Sequence, residues 1–176
     1  MKKSRKLFAY LLLTVWLSSC AFAFWWFQFQ YLGRFDSRLA AFNGEALSQI
    51  HLQPSTTTKT ALVMHFVDPS CPCSRFSKPH IRDLEARFQG SVEFINSDSQ
   101  ALDLLALEVP ATPAVAIWSS SGELAYFGPY SGGAVCGSGE DFVVSVLNLL
   151  QQGSNPSWVN LDAVGCFCPL NKHTKR

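Results

Sequence analysis

One stretch of the sequence constrains the fold most, because in it a buried strand leads directly into a helix and two cysteines lie between them. Residues 61–67 form an apolar run rich in β-branched and aromatic side chains, which predicts a strand buried on both faces. Residues 68–70, Asp-Pro-Ser, end that strand because proline fixes φ and lacks an N–H for the sheet. From residue 73 to 88 the apolar side chains follow a loose helical stripe. The sequence therefore places Cys71 and Cys73 at a strand–helix junction.

A thiol at such a junction is expected to be reactive. Unpaired N–H groups and the positive end of the helix dipole gather at a helix N-terminus. A thiolate is stabilised there, and the pKa of such thiols falls from about 8.5 toward roughly 3.5–7.5 in known cases. Arg75 and Lys78 add positive charge nearby. The alternative is an ordinary structural disulfide or an inert buried pair.

Composition limits the partners and the compartment. The chain has 176 residues, of which 48% are hydrophobic, and this suits one compact domain with an appendage. A net charge of +1 gives no general attraction to nucleic acid, so we expect no nucleic-acid partner. Six cysteines are many for a reducing compartment, and the Cys-x-Cys pattern occurs twice. Disulfides, thiol exchange or soft-metal binding would each explain that number.

The N-terminus predicts a membrane anchor. Four of the first six residues are basic, residues 7–33 carry no charge, and residues 7–27 are almost wholly apolar. About 20 apolar residues cross a bilayer as a helix, and the basic flank stays in the cytoplasm, so the rest of the chain faces outward. Two alternatives remain, a signal-peptidase site at residues 21–23 and a lipoprotein signal with Cys20 as the lipidated residue. All three export the domain.

Beyond the junction, apolar runs and turn residues predict alternating strands and helices. Alternation at the start favours parallel strands, whereas the short turn at residues 119–122 can join only antiparallel ones. Glu140 and Asp141 suit the N-terminus of the last helix. The predicted elements are strand 61–67, helix 73–88, strand 91–95, helix 101–107, strands 114–118 and 123–127, and helix 140–150.

This order of elements, the cysteine at the junction and Thr112-Pro113 before the third strand resemble the thioredoxin superfamily. The chain looks most like the membrane-tethered, outward-facing thioredoxin-like proteins of bacteria. The resemblance implies a three-layer α/β/α fold with a mixed sheet, preceded by one transmembrane helix. It also implies a single-pass protein of the bacterial inner membrane whose domain faces the periplasm. Its nucleophilic cysteine maps onto Cys71, and its cis-proline, which faces the nucleophile, maps onto Pro113, 42 positions later.

The resemblance covers about residues 60–152, and the sequence pattern on either side of it gives the other boundaries. We expect a basic flank and anchor at residues 1–33, a short helix and linker at 34–59, the thioredoxin-like domain at 60–152, and a cysteine-containing tail at 153–176.

The sequence departs from the family in its cysteine motif, at His65, and at Ser70, which stands where the family usually has an aromatic residue before the nucleophile. The usual Cys-x-x-Cys becomes Cys-Pro-Cys-Ser at residues 71–74, so Cys71 either acts alone or pairs with Cys73. His65 replaces a buried acidic residue that acts as a proton relay in the family. An imidazole can relay protons near neutral pH, but His65 can also be a hydrogen-bonded core residue.

The remaining cysteines leave several pairings open. Without Cys20 five remain, so one is free, metal-bound or paired between chains. By topology Cys136 follows the hairpin strand and lies on the active-site side. It either pairs with Cys166 or Cys168 to hold the tail, or resolves a disulfide formed by Cys71.

Three functions follow from these residues. The first is a thiol–disulfide oxidoreductase, with Cys71 as nucleophile, Cys73 or Cys136 as resolving thiol, and protein thiols or disulfides as substrates. It would use no cofactor and could draw on a membrane-embedded electron donor. The second is a Cu(I) module in which Cys71 and Cys73 bind the metal with Cys136 or His80. The third is a non-catalytic thioredoxin-like binding domain with structural cysteines.

Overall fold

The structure is a computed structural model that describes residues 2–29, 32–35, 49–97, 109–133 and 139–170. The chain divides into two compact units, Met1–Leu32 and Gly33–Arg176. The first unit contains one helix, α1 (Lys2–Phe29). Its segment Arg5–Phe27 is long and apolar enough to cross a membrane and has no buried side chains. By length and composition, this helix can serve as a membrane anchor or as a signal sequence.

The rest of the described chain is built from short strands and two helices. The elements are β1 (Leu32–Arg34), β2 (Ala61–Phe66), α2 (Ser74–Phe88), β3 (Val92–Ser97), β4 (Ala111–Thr112), β5 (Ala114–Ser119), β6 (Leu124–Gly128), α3 (Phe142–Gln151), β7 (Trp158–Val159), β8 (Val164–Cys166) and β9 (Cys168–Pro169). Five strands form a mixed sheet in the order β3-β2-β5-β6-β7, and the pairs β1-β8 and β4-β9 form two small sheets.

The strand directions confirm the predicted mixed sheet of an α/β domain. Strands β2 and β3 are parallel, and α2 supplies the crossover that a parallel pair requires. Strand β5 is antiparallel to β2, and β6 is antiparallel to β5. The β5–β6 turn closes with a hydrogen bond from the Gly122 N–H to the Ser119 carbonyl, at 3.0 Å. Gly122 has φ +85°, a conformation that favours glycine.

Strand β2 is buried on both faces, as predicted. Ala61 and Val63 belong to a hydrophobic cluster that includes side chains of α2 and α3. Leu62, Met64 and Phe66 belong to a second cluster on the other face. The second cluster also contains Phe35 and Phe167, which are far apart in the sequence. Their rings pack edge to face with centroids 5.3 Å apart. The C-terminal tail therefore helps to cover one face of the sheet.

Helix α3 begins two residues later than predicted. Asp141 is its N-cap, and the Asp141 Oδ1 accepts a hydrogen bond from the Val144 N–H at 3.0 Å. Aspartate is a preferred N-cap residue because its side chain satisfies one of the free N–H groups of the first turn. Asp141 therefore precedes the helix rather than lying in its first turn, and Glu140 lies outside it.

The tail contains strands that the sequence does not predict. Strand β7 pairs with β6 in parallel, and β9 pairs with β4 antiparallel, so that Thr112 lies opposite Cys168. Strands of two or three residues are too short to have a recognisable period. The predicted helix at 101–107 lies outside the described residues, as does most of the predicted short helix within 34–59.

Candidate redox site

The loop between β2 and α2 is organised by Asp68. The Asp68 Oδ1 accepts hydrogen bonds from the Ser70 N–H at 2.8 Å and from the Ser70 hydroxyl at 2.7 Å. The Asp68 carbonyl accepts from the Cys71 N–H at 3.1 Å and from the Ser74 hydroxyl at 2.6 Å. The Ser74 N–H in turn donates to the Cys71 carbonyl at 3.0 Å. Cys71 therefore stands in the turn before α2, and Cys73 occupies the N-cap position of that helix.

Both cysteines of this junction are disulfide-bonded to the tail. Cys71 pairs with Cys168 and Cys73 pairs with Cys166, with Cα–Cα distances of 5.9 and 5.6 Å. The two Cys-x-Cys segments thus run antiparallel across each other. Cys71 and Cys73 are only 5% and 1% exposed, whereas both tail cysteines are partly exposed. Among the described residues, the free cysteine is Cys20, which is exposed.

The cysteine pairings expected from the sequence are therefore wrong. Cys71 is bonded to Cys168 rather than to Cys73 or Cys136. Cys136 cannot hold the tail through Cys166 or Cys168, since both of these are bonded to the junction cysteines. The reason is the path of the tail, which returns across the second face of the sheet and pairs with β4 beside the junction. Cys136 itself lies outside the described residues.

The structure brings the junction and the proline loop together. The Thr112–Pro113 peptide bond is cis, as predicted. The Cys71 Sγ lies 3.6 Å from the Thr112 carbonyl oxygen. Strand β9 pairs with the same Thr112, and the Leu170 N–H donates to the Pro110 carbonyl at 3.1 Å. The loop before β5 thus contacts Cys71 and also carries the tail.

His65 is a buried, hydrogen-bonded residue. Its Nδ1 lies 2.8 Å from the Tyr130 hydroxyl oxygen, and its ring stacks on those of Tyr130 and Phe94. Burial, which removes water from the charged form, and the nearby charge of His80 together lower the pKa of His65 from 6.5 to about 4. The imidazole is therefore neutral at pH 7. A role for His65 as a proton relay stays a prediction.

The candidate metal ligands are only partly as expected. Within the described part of the chain, Cys71, Cys73 and Cys168 bring their sulfur atoms within 4.8 Å of one another. His80 does not belong to this group; its Nε2 lies 3.4 Å from the Asp141 Oδ2, and its ring meets Tyr130 edge-on. Thus the sequence identifies two of the three grouped sulfurs as possible ligands and does not identify Cys168 as the third. The signal that could have found it is the second Cys-x-Cys motif, whose spacing equals that of the first.

Comparison with other proteins adds a family match. Residues 41–170 match the family described as "Domain of unknown function (DUF6436)". No curated protein matches the chain.

Several solved structures are similar to parts of the chain. An uncharacterized conserved protein from Geobacillus kaustophilus is 15% identical, with a TM-score of 0.48 over 68% of this chain and 81% of its own. A hypothetical protein from Sinorhizobium meliloti 1021 is 17% identical, with a TM-score of 0.45 over 64% and 80%. The NTD_N/C domain of alkylhydroperoxide reductase AhpF from Enterococcus faecalis is 18% identical, with a TM-score of 0.37 over 62% and 48%. Similarities of this size assign no function.

The buried imidazole predicts a pH-dependent stability. The pKa of His65 is about 4 in the folded chain against the ordinary histidine value of 6.5, so the unfolded state binds the proton more readily between these values. The stabilisation is fully present above pH 6.5 and is lost as the pH falls toward 4, by roughly 3 kcal/mol in total, since one pKa unit is about 1.36 kcal/mol. Urea unfolding of the detergent-solubilised chain at several pH values in this range measures it.

The matched variants isolate the contribution of His65. His65→Gln should lose this part of the pH dependence, whereas His51→Gln, at an exposed position, should keep it. An equal pH dependence in His65→Gln and in the unchanged chain would contradict the assignment.

Proposed function

We propose that this chain, which belongs to the DUF6436 family, is a membrane-anchored thiol–disulfide oxidoreductase with Cys71 as its reactive cysteine. One observation carries the proposal. The Cys71 Sγ stands at the strand–helix junction, forms a disulfide with a tail cysteine and lies 3.6 Å from the Thr112 carbonyl oxygen in the loop before β5. A redox-capable bond is thus held where three separate parts of the chain meet.

The sheet supports a thioredoxin-like fold. Its first two long strands, β2 and β3, are parallel and joined by α2, and β5 and β6 follow as an antiparallel hairpin on the other side of β2. Parallel strands at the start and an antiparallel hairpin after them are the strand directions that the sequence predicts. We therefore propose the thioredoxin-like three-layer arrangement for residues 60–152, with Cys71 at the position of the family nucleophile.

The proposed reaction is disulfide exchange through Cys71. In the reduced chain, the Cys71 thiolate attacks a substrate disulfide, so that a Cys71–substrate bond forms and one substrate thiolate leaves. The Cys168 thiolate then attacks the Cys71 sulfur, releases the second substrate thiolate and regenerates the Cys71–Cys168 disulfide. Two electrons pass from the two cysteines to the substrate. The N-terminus of α2, at Cys73 and Ser74, favours the thiolate form of Cys71.

The compartment is part of the proposal. Disulfides persist in oxidising compartments, and this chain has two of them in its described residues. The apolar part of helix α1 follows basic residues in its first turns, which favours a cytoplasmic N-terminus. We therefore place the domain in the periplasm, tethered to the bacterial inner membrane. Protein thiols or disulfides are its substrates, and a membrane-embedded protein is the expected electron donor.

A second candidate function rests on the sulfur cluster. The sulfurs of Cys71, Cys73 and Cys168 lie within 4.8 Å of one another, and once reduced they would be soft thiolate ligands for Cu(I). This function requires that both disulfides are open when the metal binds. It competes with the exchange reaction for the same thiols.

Replacement of Cys71 tests the oxidoreductase. In Cys71→Ser the nucleophile is absent, so we expect reduction of a disulfide-linked fluorescent peptide to fall to the rate of the added reductant alone. Cys20→Ser, in α1, should leave the rate unchanged. The Cys73→Ala/Cys166→Ala variant loses a bridge of nearly the same sequence separation, 93 residues against 97, and so measures the effect of lost stability alone. A Cys71→Ser chain that keeps the original rate would refute the proposal.

Copper retention tests the second function. The reduced chain, given one equivalent of Cu(I) and passed through gel filtration, should retain stoichiometric copper if the cluster is a metal site. Cys73→Ser should then lose it, since one of the three grouped sulfurs is gone. Copper that separates from the unchanged chain would exclude this function and leave the exchange reaction untouched.

A further inference from the structure

In each of the two disulfides, one cysteine is buried and the other is partly exposed. Their junction cysteines, Cys71 and Cys73, are almost fully buried, whereas their tail partners, Cys166 and Cys168, are partly exposed. Thiol–disulfide exchange depends on which sulfur the incoming thiolate can reach. In the oxidised chain, the more accessible cysteine of each bond is therefore the tail cysteine.

The tail also closes the approach to Cys71. Strand β9 pairs with β4, so that Cys168 lies opposite Thr112, whose carbonyl is the one that contacts the Cys71 sulfur. The Leu170 N–H extends this pairing by its hydrogen bond to the Pro110 carbonyl. Phe167, which is only 8% exposed, lies between the two tail cysteines and packs in the second hydrophobic cluster. An extended segment of another protein cannot lie along β4 while the tail does.

The stability of the leaving thiolate also favours attack on Cys168. When a thiolate attacks one sulfur of a disulfide, the other sulfur leaves as a thiolate, and a more stable thiolate leaves faster. Attack on Cys168 expels Cys71, which precedes the N-terminus of α2, where a negative charge is favoured. Attack on Cys71 would instead expel Cys168, which belongs to the two-residue strand β9 and not to the segment that leads into α2.

We infer that Cys168 is the sulfur at which the oxidised chain accepts electrons from an external protein dithiol, and that the C-terminal tail is its electron-entry arm. This inference rests on the proposed function and assigns the donor side of that reaction. A donor thiolate attacks Cys168, forms a donor–Cys168 disulfide and releases the Cys71 thiolate. The second donor thiol then attacks the donor sulfur of that bond and releases Cys168. The donor dithiol becomes a disulfide, and its two electrons and two protons end on Cys71 and Cys168.

In this scheme the two sulfurs of the Cys71–Cys168 disulfide react with different partners. The donor meets the tail sulfur of the closed, oxidised chain. The substrate meets Cys71 only after the Cys71–Cys168 bond is open and the tail has left β4. The return of Cys168 to Cys71 then displaces the substrate from both the sulfur and the strand.

Trapping of the mixed disulfide tests the inference. The oxidised full chain in detergent micelles, in the Cys73→Ala/Cys166→Ala background, is mixed briefly with glutathione as the thiol probe. The mixture is quenched with acid and N-ethylmaleimide and mapped by mass spectrometry without reduction. We expect glutathione on Cys168 and maleimide on Cys71, in about tenfold or greater excess over the reverse arrangement, because Cys168 is the more accessible cysteine of this bond. The unchanged chain provides the same measurement if the double variant does not fold.

The control is the same reaction in urea, where both sulfurs are accessible and the preference should disappear. Glutathione on Cys71, or an equal distribution in the folded chain, would overturn the inference and leave the proposed function standing. No adduct at either cysteine of the folded chain, with a normal reaction in urea, would refute both, because the bond would then be an inert structural disulfide.

Discussion

The pairing of two Cys-x-Cys segments across each other is the constraint on which the rest of the domain depends. The strands that fix the tail have only two or three residues, and such short pairings are not stable by themselves. Each bridge closes a loop of more than 90 residues, and a loop of this size is associated with roughly 4–5 kcal/mol of stabilisation by chain entropy. Because the two loops are nested, the second bridge adds less than the first. We therefore expect the coverage of the second sheet face by Phe167 to depend on the redox state of the sulfurs.

The two bridges differ in their surroundings although they are neighbours. Cys73 occupies the N-cap position of α2 and is 1% exposed, which suits a bond that holds the tail in place. Cys71 precedes the helix and contacts the Thr112 carbonyl, so its bond is adjacent to the strand along which the tail lies. In the proposed reaction, opening the Cys71–Cys168 bridge frees that strand edge, whereas the Cys73–Cys166 bridge keeps the tail attached. Under the proposed function, the Cys71–Cys168 bond is the exchangeable disulfide and the Cys73–Cys166 bond is the tether.

The sequence predicts those parts of the site that depend on local patterns. The apolar run of β2, the break at Asp68 and the stripe of α2 are contiguous, so the junction and its two cysteines can be placed from the sequence. The cis bond before Pro113 can be placed as well, because it precedes a strand in a known order of elements. The mixed sheet follows from alternation and from one short turn.

The partners of the junction cysteines cannot be predicted in the same way. Their choice depends on where the tail runs, and strands β7, β8 and β9 are too short to carry a period that identifies them. From the predicted topology, Cys136 and the tail cysteines are equally good partners for Cys71. Only the path of the tail decides between them. The neutral state of His65 likewise depends on burial by residues distant in sequence, such as Tyr130, rather than on its neighbours in β2.

The most direct test of the crossed pairing is a disulfide map of the full chain, purified from membranes after its thiols are blocked and digested without reduction. We expect two cross-linked species, one that joins Cys71 to Cys168 and one that joins Cys73 to Cys166. Bonds within each motif, Cys71 to Cys73 and Cys166 to Cys168, would contradict it, because the tail would then have no covalent link to the strand–helix junction.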